Sequence, residues 1–230
     1  MSAFRDILVD MPHVVEQPQA APILEPVPRP AVAAVTSVRD EQIQALVQQL
    51  FFRPESAVVR HVGFAPVDAA TKTADLCLDV ARALAEEDKY DIGLIDAHTD
   101  PVLLQSQLQI APPNLPLTTW PMGQRLWMVP RQSWMADTGG QRVSEQNLWR
   151  LRELMSQFDF SILWCAPVSW LTANIGQTCD GLVLVLAANR TRRMVASQLK
   201  DQLRKAQVPL LGTVLAERRF PVPQGLYRNL

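Results

Sequence analysis

This sequence predicts an α/β domain with a doubly wound, mostly parallel sheet in a three-layer αβα arrangement. Three observations carry that prediction. From Ala57 onward, short strand-like runs of Val, Leu and Ile alternate with longer segments of helical periodicity, the pattern of parallel strands joined by crossover helices. Hydrophobic residues make up 48% of 230 residues, ample for a core. No internal repeat at spacings of roughly 20 to 50 residues suggests a solenoid instead.

Six of the 18 prolines lie between Pro12 and Pro30, where proline removes backbone donors and restricts its predecessors. Residues 1–37 are therefore expected to be a disordered Pro-rich N-terminal tail acting as a tether, and 38–230 a single domain. Asp40 is placed to cap a helix whose apolar Ile43, Leu46, Val47 and Leu50 recur at helical spacing until Pro54. Val58–Ala65 (VVRHVGFA) reads as a strand, Thr73–Glu87 as a helix and Asp91–Ala97 (DIGLIDA) as a second strand, together a βαβ unit. A Pro- and Trp-rich excursion over 100–143 follows, read without regular structure. The alternation then resumes with helix 147–157, strand 158–165, strand 181–188, helix 192–207 and strand 210–217. Right-handed crossovers put helices on both faces of such a sheet.

The charge balance excludes several function classes. Lys and Arg total 22 against 23 Asp and Glu, so no global field draws nucleic acid or an anionic membrane. The longest aliphatic run, Leu182–Ala188, is about a third of the ~20 residues that cross a bilayer. The opening MSAFRDILVDMPHVV carries acids in its first ten residues and lacks a cleavable apolar stretch, so the chain is expected in the cytoplasm. Cys77, Cys165 and Cys179 form neither a C-x-x-C nor a Cys/His cluster, and no metal site is expected.

In a doubly wound sheet, ligands bind where a strand turns into its helix, which directs attention to residues 63–73. A phosphate loop, G-x-x-x-x-G-K-[ST], wraps phosphates in backbone N–H groups, with Lys on the terminal oxygens and the hydroxyl on Mg²⁺. Here the loop reads Pro66, Val67, Asp68, Ala69, Ala70, Thr71, Lys72, Thr73. Lys72 and Thr73 are in place. The glycine positions hold Pro66, which has no N–H, and Thr71, whose β-branch resists positive φ.

The order of segments from about residue 38 resembles the CpsD/CapB-like capsular and exopolysaccharide biosynthesis proteins. These are the bacterial tyrosine kinase branch of the MinD/ParA-like P-loop ATPases. The loop and its helix resemble Val58–Glu86; a strand ending L-I-D-A-D is similar to Leu94–His98; Y-D-h-h-h-h-D-x-P-P to Phe158–Pro167; D-G-h-h-h-V followed by Thr to Asp180–Thr191. The closing strand and P-x-P-x-x-L-Y resemble Leu211–Ala216 and Pro221–Tyr227. The resemblance implies a P-loop NTPase-like fold, with ATP and Mg²⁺ as cofactors if the site still functions.

The departures weaken that chemistry. Trp164 stands where the family has a metal-ordering carboxylate, and an indole gives a hard cation no oxygen. His98 replaces the last acid of the second motif, leaving Asp96; Ala216 replaces the asparagine that contacts adenine. In the ring-forming E-x-x-R-x-x-R helix Glu41 remains, but the arginines fall on Gln44 and Val47. The C-terminal tyrosine cluster is reduced to Tyr90 and Tyr227. Lys72 and Thr73 are thus read as a vestigial phosphate loop, and Asp96 and His98 as vestigial catalytic positions. No bound cofactor is expected.

Other chemistry is sparse. Asp96 and His98, two apart on a strand end, form a candidate acid/base pair. Ser161, Ser169 and His61 suggest no triad, because there is no G-x-S-x-G elbow. Asp68 reads as a turn-capping residue and His13 as a solvated one.

Trp120, Trp127, Trp134 and Trp149 crowd with Arg125 and Arg131 into a short stretch, either covering the sheet edge or forming an interface over 120–134. Arg190, Arg192, Arg193, Lys200, Arg204 and Lys205 make one helix basic. The expected function is a non-catalytic pseudo-ATPase or pseudokinase that regulates or scaffolds exopolysaccharide or capsule biosynthesis and export. It would be a monomer or small oligomer docked on the cytoplasmic segment of a membrane polysaccharide copolymerase, binding no nucleic acid. The alternatives are an active ATP-dependent tyrosine autokinase or ATPase, and a MinD/ParA-like positioning protein.

Overall fold

The computed structural model describes residues 38–53, 58–98, 103–113, 117–135, 143–188 and 190–217. All of them belong to one compact unit, Thr36–Leu230. The tail over 1–37 and the Pro221–Tyr227 motif lie outside the described residues.

Helix α1 (Val38–Phe51) starts two residues before Asp40, which sits in its first turn where a negative charge suits the helix dipole. It buries Ile43, Val47, Leu50 and Phe51, a deeper packing than that of a solvent-facing helix. Strand β1 (His61–Pro66) leads to α2 (Ala74–Ala85), and β2 (Ile92–Ala97) completes the βαβ unit. The excursion is not structureless. It contains the short α3 (Leu104–Gln107), β3 (Trp120–Gly123), β4 (Leu126–Val129) and a 3₁₀ turn at Arg131–Ser133. Then come α4 (Glu145–Met155), β5 (Phe160–Cys165), α5 (Trp170–Gly176), β6 (Gly181–Ala187), α6 (Arg193–Lys205) and β7 (Leu210–Ala216).

The seven strands form one sheet in the order β3-β4-β2-β5-β1-β6-β7. Every pairing is parallel except the β3–β4 hairpin at one margin. The expected doubly wound, mostly parallel three-layer fold is therefore present. Alternation along each strand divides the core: Val62 and Phe64 of β1 pack beneath α1 and α2, while Ala65 faces the side of α4, α5 and α6. Gly93 admits the Phe158 ring, since a Cβ there would fall 2.5 Å from it. Tyr90 packs edge-on to Phe160 at 5.0 Å, so its ring belongs to the core. No described helix is long and apolar enough to cross a membrane.

Candidate functional site

The loop between β1 and α2 lies at the carboxyl end of the central strands, and the N–H groups of Val67, Ala70, Thr71 and Lys72 have partners within the protein. Val67 N–H donates to the Val185 carbonyl at 3.0 Å and Thr71 N–H to the Asp68 carbonyl at 3.2 Å. One carboxylate oxygen of Asp68 accepts the Ala70 N–H at 3.0 Å and the Thr71 hydroxyl at 2.9 Å. Lys72 N–H donates to the Glu217 carboxylate at 3.2 Å. Pro66 has no N–H to give.

Glu217 reaches the loop because its backbone turns to φ 58° just after β7, a left-handed conformation that non-glycine residues adopt sparingly. Arg190 neutralises the two acids. It lies 3.2 Å from Glu217 and 3.6 Å from Asp68, and donates to the Thr71 hydroxyl at 3.3 Å. Where a phosphate loop offers amides to a bound anion, this one offers those of Ala70 and Lys72 to the carboxylates of Asp68 and Glu217.

The hydroxyl beside the loop is engaged too. Buried Trp164 donates its indole N–H to Thr73 Oγ1 at 2.9 Å, and the His98 ring stacks on Trp164 with centroids 4.4 Å apart. Trp164 pairs in register with Asp96 across β2 and β5. Asp96, 0% exposed, accepts the N–H groups of His98 at 3.1 Å and Leu104 at 2.9 Å, which ties the end of β2 to α3. Desolvation pushes its carboxyl up to about 6, against the opposing pull of those two amides and of Arg131. Trp134, fully buried, donates its indole N–H to the Asp96 carbonyl at 2.8 Å.

Around this cluster lies a cleft of about 540 Å³ lined by Thr71, Lys72, Thr73, His98, Gln107 and Trp164 among others. Lys72 is exposed at its mouth. The residues present do not fit a P-loop's phosphate and magnesium: the Thr73 hydroxyl is bound by an indole, the Ala70 and Lys72 amides are held by carboxylates, Pro66 has no N–H, and Asp96 serves the backbone.

The structure brings Lys72, Thr73, Asp96 and His98 to one end of the sheet but does not make an acid/base pair of the last two. β2 ends at Ala97, so His98 lies beyond the strand, and the bond between the pair runs from its backbone N–H. Asp68 closes an Asx-type turn, as its position suggested. Ser169 caps α5, and Ser161 and His61 are register partners at the far end of β5 and β1 from the cleft.

Of the two lost ring arginines, Gln44 donates to Glu86 at 3.1 Å and Val47 is core. The Trp/Arg-rich segment 120–134 supplies edge strands rather than a surface of indoles. Trp120 and Trp134 are buried, Trp127 tilts onto Phe158, and Trp149 alone of the four is exposed, on α4. Arg190 and Arg192 precede α6 rather than belong to it.

Sequence reasoning missed Glu217 and assigned Arg190 to a basic helix rather than to the loop; both follow the ends of other strands and carry no local signature for this role. It also missed that Trp164 and Trp134 hydrogen-bond the loop hydroxyl and the β2 carbonyl.

No protein-family model and no curated protein matches this sequence. Solved structures match its fold. The chimerical protein CapA2B2 is 14% identical with a TM-score of 0.64, over 80% of this chain and 86% of that one. The kinase domain of the Escherichia coli tyrosine kinase ETK is 15% identical with a TM-score of 0.61, over 81% and 80%. The septum site-determining protein MinD from Pyrococcus horikoshii OT3, complexed with Mg-ADP, is 14% identical with a TM-score of 0.53, over 74% and 76%. At these identities the likeness is one of fold.

Proposed function

We propose that this protein is a non-catalytic, nucleotide-independent member of the bacterial tyrosine kinase group, a regulator or scaffold in exopolysaccharide or capsule biosynthesis and export. The observation that carries the non-catalytic half is the Trp164 indole on the Thr73 hydroxyl, where the family places magnesium chemistry. The carboxylates of Asp68 and Glu217 on the loop amides support the same reading. The polysaccharide half rests on the order of motifs together with the fold shared with ETK and CapA2B2. Its partner is the cytoplasmic segment of a membrane polysaccharide copolymerase, which holds the protein at the inner face of the membrane.

Isothermal titration with Mg-ATP tests this reading. No heat of binding is expected at micromolar nucleotide, because the amide nest and the metal supply most of a P-loop's hold on triphosphate. Magnesium-dependent binding with a micromolar dissociation constant overturns it in favour of an active kinase or ATPase.

A further inference from the structure

The margin of the sheet formed by β7 is open: it ends the strand order, and no described strand pairs with its outer side. Natural edge strands are blunted by charges, prolines or bulges that turn them away from neighbours. β7, Leu-Leu-Gly-Thr-Val-Leu-Ala, has no charge and no proline, and the register shift in its pairing falls near its start. Its second half runs regularly to Ala216, with Thr213 exposed and Leu215 61% exposed.

The first turn of α6, which like the end of β7 lies at the carboxyl edge of the sheet, leaves Met194 70% and Val195 40% exposed. Along its length α6 buries only Leu203; half-buried Ala196 and Leu199 share its side, and Met194 lies on the opposite side of the helix. Cations accompany this apolar margin. Arg192 and Arg193 open α6, and its one acid, Asp201, is already paired with Arg204 at 3.0 Å.

From this margin we infer that β7 and the start of α6 form a docking site for an extended, acidic segment of a partner protein, added to the sheet as an eighth strand. The outward main-chain groups of β7 supply hydrogen bonds, Leu215 packs against an apolar side chain of the added strand, and Arg192 and Arg193 meet acids two positions away on the same, α6 face. A second copy is disfavoured, because edge-to-edge pairing would bring two basic α6 helices together. The chain's own last residues, 218–230, are a poor match as well, carrying three arginines and no acid. The inference rests on the proposed function only in treating the partner as a protein segment, and it holds whatever the cleft binds.

The test uses the full chain and a fluorescein-labelled, capped nine-residue peptide with valine and glutamate at successive positions of one strand face and threonine at the positions between, followed by fluorescence anisotropy. Saturable binding that weakens as salt rises is expected, with affinity at least about tenfold lower for Leu215→Lys and for Arg192→Glu/Arg193→Glu. N-methylation of alternate peptide amides abolishes binding if it is strand addition. Leu215 is exposed, so unchanged melting temperatures of Leu215→Lys keep the readout free of misfolding.

Absence of peptide binding at millimolar concentration overturns the proposal, as does binding indifferent to N-methylation. Capture by vesicles of anionic phosphatidylglycerol without peptide binding assigns the basic face to a membrane instead. A dimer in sedimentation that Leu215→Lys dissociates assigns the edge to a second copy.

Discussion

The loop end of the sheet and its β7 margin are built from opposite conditions. At the loop, Ala70, Thr71 and Lys72 N–H groups, the Thr73 hydroxyl and the Asp96 carboxylate all have partners within the protein. At the margin, an uncharged strand faces outward with Leu215 and Met194 exposed. The first region has the lining of a binding site and the bonding of a core; the second lines a groove against α1 and has the composition of a contact surface. The same sheet thus carries a cleft whose polar groups turn to one another and a margin whose apolar side chains face outward, so place on the scaffold does not by itself set chemistry.

The comparison breaks most sharply at Trp164. Trp164→Ala removes a buried ring, its bond to Thr73 and its stack on His98, and is expected to destabilise the domain by about 3–5 kcal/mol. Chemical denaturation measures it. A cost below about 1 kcal/mol would show that the indole is not part of the core.

Asp96 gives the next largest effect. Burial raises its carboxyl to about 6 from a reference near 3.8, so the folded state holds the proton more tightly than the unfolded chain. Stability is then fullest at low pH on this account and falls as pH rises from about 4 to about 6, by at most about 3 kcal/mol. Denaturation midpoints across that window should show the fall, and Asp96→Asn should flatten it. Asn also offers one oxygen where two amides are received, so the variant is expected to lose about 1–2 kcal/mol at pH 7.

Arg190→Ala removes the counter-ion of Asp68 and Glu217, but in a half-exposed setting the loss should be only about 1 kcal/mol. The sharper readout is hydrogen exchange: Ala70 and Lys72 amides should exchange faster while those of β1 do not change. Smallest of all, Leu215→Lys should alter stability by no more than about 0.5 kcal/mol, as expected of a substitution that touches no core group. Equal losses in Arg190→Ala and Leu215→Lys would erase the contrast between the two regions.

Much of this fold was legible because its central strands announce themselves. Phe160–Cys165 and Gly181–Ala187 are apolar on both faces, as strands buried between helices must be. The β3–β4 hairpin was not legible. Each strand is four residues long, one carries Pro121, and both lie among prolines that argue for a loop. At the site, the misfit of Pro66, Thr71 and Trp164 to a phosphate loop could be read from residue chemistry alone. The partners that the loop has in their stead could not. Glu217 stands 145 residues from Lys72, and nothing near either residue pairs them until the sheet places β7 two strands from β1.

That separation also orders events in time. The Lys72–Glu217 bond joins the second described segment of the domain to the end of its last strand, among the longest loop closures the chain makes. During synthesis the Lys72 amide therefore awaits the residue after β7, so a nascent chain that has emerged only through β6 has the loop's local bonds to Asp68 but not its latch to Glu217.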